Sequence, residues 1–392
     1  MGRLTIIDGF RGFFLLFMGV HHFNTILGTT LGMLNHHRLG WVEDAQGFVF
    51  ISGLVVGVVY GRKFMRRPGE IFTPILARVR TIYYHQASLI LILLAAALTL
   101  GPDAARQFRD FVQDPAAFTG ASLLLLTAAP NMGILPMYIY FLLVTPFAFR
   151  LLAKGWDVPF ALILLGSWLF AQTGLTELAA DGLGGALGIR FNLGFNIFGW
   201  QALFFSGLYF GFRMVERPVD LDFLRQDQYR AAFLITLAIV AGLAIFDRIV
   251  GGEVFGDAYS TALMAHTDRG LLAWIYPFAF LLDLFAVVWL LRVGATDKAG
   301  WIRGLSRLVA WVFTARPLVF LGQHSLHVFS FHILVFYALA QFAPGLGLGE
   351  FGASLLLIAS VASLWLAAWG HAWLQARDAA RADDAASAAV RR

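Results

Sequence analysis

Long apolar runs follow one another along this chain with few polar interruptions, and their lengths predict about ten membrane-spanning helices. Their cores read as 9–30, 46–61, 81–100, 134–150, 158–173, 194–212, 231–247, 270–291, 317–342 and 351–373. The second, fourth and fifth are short for a span. The stretch TGASLLLLTAAP (119–130) is too short to cross, so it is expected to lie at the outer surface or to re-enter. WIRGLSRLVAWVF (301–313) sets Arg303 and Arg307 one helical turn apart among apolar residues, which predicts an amphipathic helix on the inner leaflet. The loops 31–45, 101–133, 174–193 and 248–269 exceed simple connectors and are long enough to build an outward-facing vestibule.

Composition turns this pattern into a class. Of 392 residues, 59% are apolar and 14% charged, against about 25% charged in a soluble domain. The fold class is therefore all-α, a polytopic integral membrane protein. With no cysteine, disulfides, thiolate metal sites and a cysteine nucleophile are excluded. The first apolar run holds internal charge and continues too long for a cleaved signal peptide. With the N-terminus inside, 23 Lys and Arg fall on inner segments and 6 on outer ones, which predicts an N-in, C-in topology. RKFMRRP (62–68) then faces the cytoplasm, chiefly as a topology determinant. One transmembrane domain is expected over 1–375, with an Ala/Arg-rich cytoplasmic tail over 376–392.

Polar residues held in apolar context carry the candidate chemistry. The first segment contains IIDGFRGFFLLFMGVHHFN, with Asp8 and Arg11 at its mouth and His21 and His22 deep inside. At about 100° per residue, Arg11 and His22 fall on nearly one line, about 16 Å apart. Asp8, one turn before Arg11, is placed to pair with it. An ionisable group in hydrocarbon costs about 2.5–3.5 kcal/mol, so such residues are expected to face a polar interior. His22 lies about 20 Å from the inner end of its helix, nearer the outer side. His36, His37, Glu43 and Asp44 follow just outside, then Gln46 and Ser52 in the second segment. Tyr138 opens the fourth segment, and Asn196, Trp200 and Gln201 open the sixth at similar outer depth. Asp283 sits mid-segment in the eighth, and the ninth offers Gln323, His324, Ser325, His327 and His332. This recurrence suggests a shared polar chamber. His324 and His327 do not share a helix face with His332, and no HExxH occurs, so no metal is expected. The glycines are read as permitting close helix packing.

The block RGFFLLFMGVHH, an Arg followed after ten residues by His, resembles the membrane acyltransferase family 3 group. EDAQGFVFISGLVVGVVYGRKF, NMGILPMYIYFLLVTP, FNIFGWQALFFSGLYFG and LVFLGQHSLHVFSFHILVFY sharpen this into a resemblance to the OpgC family, succinyltransferases of osmoregulated periplasmic glucans. It spans residues 5 to about 375. Two positions depart from the family pattern as read here: Gly133 stands where an aspartate is expected before ILP, and Gln46 where an acidic residue is common.

The resemblance implies a ten-helix inner-membrane enzyme passing an acyl group, succinyl first, from cytoplasmic acyl-CoA to a hydroxyl of a periplasmic glucan. Acyl-CoA would be a co-substrate rather than a resident cofactor. The partners would be acyl-CoA, the glucan and the bilayer, with no nucleic acid. His22 is the expected general base, with Asp8, Arg11 and Asp44 in the catalytic set. Arg11, Arg62 and Lys63 are expected to meet CoA phosphates. Glu43, Gln46, Tyr138, Asn196, Trp200, Gln201, His324 and Ser325 are expected on the substrate side. About 21 Å of helix separates Asp8 from His22, so Asp8 is read as an anchor for Arg11, and Glu43, Asp44 or His324 as the partner of His22. The alternative is a transporter or flippase for a glycan or organic acid, which would show matched broken helices in inverted repeats.

Overall fold

The structure, a computed structural model, describes residues 5–34, 36, 40–188, 190–217, 219–251 and 267–390. His37, Arg38 and most of the expected outer loop at 248–269 lie outside the described residues. The helices are α1 (Thr5–Leu27), α2 (Asp44–Arg66), α3 (Phe72–Leu100), α4 (Arg109–Gln113) and α5 (Pro115–Leu123). Then come α6 (Ile134–Ala153), α7 (Asp157–Ala171), α8 (Leu175–Leu187), α9 (Ile197–Glu216), α10 (Asp227–Gly251) and α11 (Ile275–Arg292). The chain closes with α12 (Gly300–Thr314), α13 (Arg316–Gln323), α14 (Ser325–Phe342), α15 (Glu350–Ala362) and α16 (Leu364–Val390). Among the described residues the only β pairing is an isolated bridge between Thr127 and Asn192.

The chain divides into two compact units, Met1–Met33 with Trp311–Arg392, and Leu34–Ala310. In the first, α1 packs against α13, α14 and α15, so the opening helix is completed by the closing ones. Glycine makes the tightest of these crossings. A Cβ at Gly12 would strike the Leu318 carbonyl oxygen, and one at Gly322 the carbonyl oxygen of Asp8. Small residues facing each other in this way let two backbones meet where no water-driven force brings helices together.

The second unit repeats the device. Gly53 and Gly57 of α2 lie against the Phe204 and Leu208 carbonyls of α9, and Gly207 and Gly211 lie against Phe50 and Leu54. Elsewhere in this unit Phe233 stacks on Trp289 at 4.3 Å, and the Trp289 indole N–H donates to Leu224 O. The amphipathic α12 seats Ile302 in this cluster, and its Ser306 hydroxyl donates to Leu290 O.

Among the described residues, seven helical segments are long and apolar enough to cross a membrane, or nine if each of two bent pairs is one span. Helices α1 and α9 fall outside that set, the first carrying Asp8, Arg11, His21, His22 and Asn24, the second Gln201 and Arg213. The expected loop at 174–193 instead holds α8, bent 62° from α7. Gly174, the residue before α8, holds φ +73°, a backbone that β-carbon-bearing residues rarely adopt, and redirects the chain between the two helices. The ninth predicted segment is two helices, α13 and α14, broken at His324. The predicted surface stretch 119–130 is the end of α5 and a turn.

Candidate functional site

The Gly12–Gly322 crossing sets the geometry of the first unit. It brings the mouth of α1 against the break at His324, where the backbone leaves helical values (φ −109°, ψ 23°). Ser325 opens α14 there, and the Arg11 guanidinium donates to its hydroxyl. Asp8 is buried one turn away, with its carbonyl oxygen facing Gly322. The crossing therefore gathers three of the sequence candidates, Asp8, Arg11 and Ser325.

Higher on the same helix, His22 is half-buried and faces α14. Its Nδ1 lies 3.0 Å from Nε2 of His332, and the two rings are stacked at 5.2 Å. His332 is itself buried, and its Nδ1 lies 2.5 Å from the Phe329 carbonyl oxygen. A carbonyl only accepts, so His332 carries its proton on Nδ1 and offers the Nε2 lone pair. His22 then donates from Nδ1, and its own Nε2 bears a lone pair. The network orients the His22 ring and fixes its tautomer.

His332 was not among the residues expected to touch substrate or orient His22, although its segment drew attention. Helical depth was the available signal. His22 lies seventeen residues along α1 and His332 sixteen residues past the start of α13, about 24–26 Å of rise in each case. The expected orienting candidate His324 is spent elsewhere in the same unit: its Nδ1 lies 2.9 Å from Nδ1 of His371 on α16, on whose ring His327 also stacks.

The remaining candidates belong to the second unit. Gln46 is fully buried and engaged at both ends of its amide. Its Oε1 accepts from Glu43 N at the start of α2, and its Nε2 donates to Tyr276 O. Trp200, expected as a stacking platform, is fully buried with its indole N–H on the Arg269 and Gly270 carbonyls. Gln201 donates to Leu164 O. These three hold helices together, and the apolar context that made them conspicuous is satisfied by backbone carbonyls. Asp44 is buried and pairs with His36 at 3.2 Å, and Glu43 faces Arg269 at 3.5 Å. Tyr138 packs edge-on to Phe204. Lys63 is exposed with its ammonium over the Tyr60 ring, and Arg62 is half-buried beside it. Asn196 caps α9, accepting from Phe198 N and Gly199 N while donating to Thr176 and Glu177.

Gly133 has a packing reason. A Cβ there would strike the Leu193 carbonyl oxygen, so the loop before α9 fills the space an aspartate would need.

Helices of this length and a part-buried imidazole pair mark a polytopic all-α membrane protein with an oriented general-base candidate inside its helix packing. The model of one family, described as OpgC protein, matches residues 3–376, and the chain belongs to that family. Comparison with curated proteins and with solved structures returns no significant match.

Proposed function

We propose that the protein is a membrane O-acyltransferase moving an acyl group, most simply succinyl, from cytoplasmic acyl-CoA to a hydroxyl of a periplasmic glucan. Membership of the OpgC family supports glucan acyl transfer and a multi-pass inner-membrane location. The distribution of basic residues supports the N-in, C-in orientation, and adding α1, α9 and the bent α7–α8 pair to the seven long apolar segments gives the proposed ten spans.

The observation that carries the reading is the His22–His332 pair. In the proposed reaction His22 Nε2 takes the proton of the sugar hydroxyl as that oxygen attacks the thioester carbonyl. The C–O bond forms, the C–S bond breaks, and the imidazolium returns the proton to the departing CoA thiolate. His332 accepts the Nδ1–H throughout, which holds the tautomer and stabilises the cationic ring. Arg11, fixed by Ser325, is suited to an anionic part of the acyl donor.

The test uses purified full-length protein with succinyl-CoA and, in parallel, acetyl-CoA, plus a β-glucan. Glucan-dependent CoA release that disappears in His22→Ala supports the reading. Release that persists in that variant overturns the assignment of the base. Movement of glucan across a vesicle wall with no thioester consumed overturns the enzyme reading.

A further inference from the structure

Within the second unit, a cavity of about 450 Å³ opens between the start of α9, α8 and the turn before α11. That lies within the about 300–1,000 Å³ typical of small-molecule clefts. Nothing in the reaction outlined above uses it. Two features of its walls bear on a ligand. Phe191, Phe195 and Phe198 supply aromatic surface, and Glu177, Asp181 and Asp268 supply carboxylates.

The floor is fixed rather than loose. Leu193 is pressed against Gly133, where no side chain fits. Asn196 ties α9 to Glu177, the Asn196 N–H donates to Gly270 O, and the Tyr140 hydroxyl donates to Leu125 O. Leu125 holds φ +64° in this wall, a conformation branched side chains rarely take, and such positions gather at functional sites.

We propose that this cavity is a holding site for an uncharged sugar unit of the acceptor, apart from the imidazole pair. The proposal rests on the acyltransferase reading for its biological role but not for its chemistry. Rings stack on the C–H faces of a pyranose, while carboxylates accept from paired hydroxyls. Among the described residues no lysine or arginine lines the cavity, so its field opposes anionic ligands such as CoA or a sugar already carrying a succinyl carboxylate. The site thereby favours unmodified stretches of glucan over acylated ones.

The test is binding alone, with no acyl-CoA present. Detergent-solubilised full-length protein is titrated with a short neutral β-gluco-oligosaccharide and with the same oligosaccharide chemically succinylated. The neutral probe is expected to bind about tenfold more tightly, and the gap to close in high salt. Phe198→Ala is expected to weaken the neutral probe by about tenfold, and Asp181→Asn to narrow the preference, with melting temperatures confirming that both variants fold. Equal binding of the two probes, or unchanged binding in Phe198→Ala, overturns the proposal. Binding as described in a protein that transfers no acyl group defeats only the enzyme reading. Acyl transfer with no binding change in these variants defeats only the cavity.

Discussion

Nδ1 of His22 lies 3.0 Å from Nε2 of His332, and the far nitrogen of His332 lies 2.5 Å from the Phe329 carbonyl oxygen. The chain of three groups has one direction, because its last member can only accept. His332→Ala is therefore expected to lower kcat by about 10²-fold or more while leaving KM for acyl-CoA near the parent value. His332→Gln keeps an oxygen able to accept from His22 and is expected to recover part of the loss. Steady-state kinetics on the two variants check this, and equal kinetics would remove His332 from the mechanism.

The α1–α13 crossing predicts a stability effect at residues with no side chain of their own. Gly12→Ala and Gly322→Ala each push a methyl into a carbonyl oxygen, at a cost of about 1–3 kcal/mol. Both are expected to lower the melting temperature in detergent. Because the same crossing seats Arg11 on Ser325, the surviving folded protein is expected to show a raised KM for acyl-CoA.

Asp297, in the turn between α11 and α12, gives a pH dependence. Burial alone would raise its pKa, but hydrogen bonds from Arg230 and from the Ala299 amide outweigh it and hold the carboxyl below the ordinary 3.8. A depressed folded-state pKa contributes stability that is present above the unfolded value and lost as pH falls through the folded one. Asp297→Asn is thus expected to melt lower than the parent at neutral pH, with the gap shrinking below 3.8. Melting curves across pH check the sign, and a gap that widens in acid would contradict it.

Gly133 predicts that restoring an acidic residue does harm here. Gly133→Asp must displace Leu193 and the loop that walls the cavity, so lower thermal stability is expected, with Gly133→Ala affected in the same direction. A fully stable Gly133→Asp protein would mean that this loop yields easily.

Much of the architecture was legible from apolar runs, because a helix in hydrocarbon must be long and continuous, and each of the ten predicted cores overlaps helix in the structure. The break at His324 was not, since the apolar pattern of 317–342 runs straight through it. Helix α8 read as a loop because glycine and acid interrupt its sequence. Asp8, Arg11, His22 and Ser325 came forward as polar groups in apolar surroundings; Arg11 meets Ser325, while His22 meets His332 higher on the same helix. The same signal also raised Gln46, Trp200 and Gln201, whose partners are backbone carbonyls. Sequence marks a polar group that needs a partner, but it does not say whether that partner is a ligand or the fold. His332 is one of three histidines on its segment, and the apolar pattern there does not distinguish which of them faces α1.

That the helices packed against α1 come from residues 311–392, at the far end of the chain, has a consequence for biosynthesis. While the ribosome is still making the intervening helices, the charged first segment lacks the helices it finally packs against, and the imidazole pair does not yet exist. On the proposed acyltransferase reading, a nascent or prematurely terminated chain is expected to be inert toward thioesters, sparing the acyl donor until translation is nearly finished. Supplying the closing helices as a separate polypeptide to such a truncated chain would be expected to awaken it.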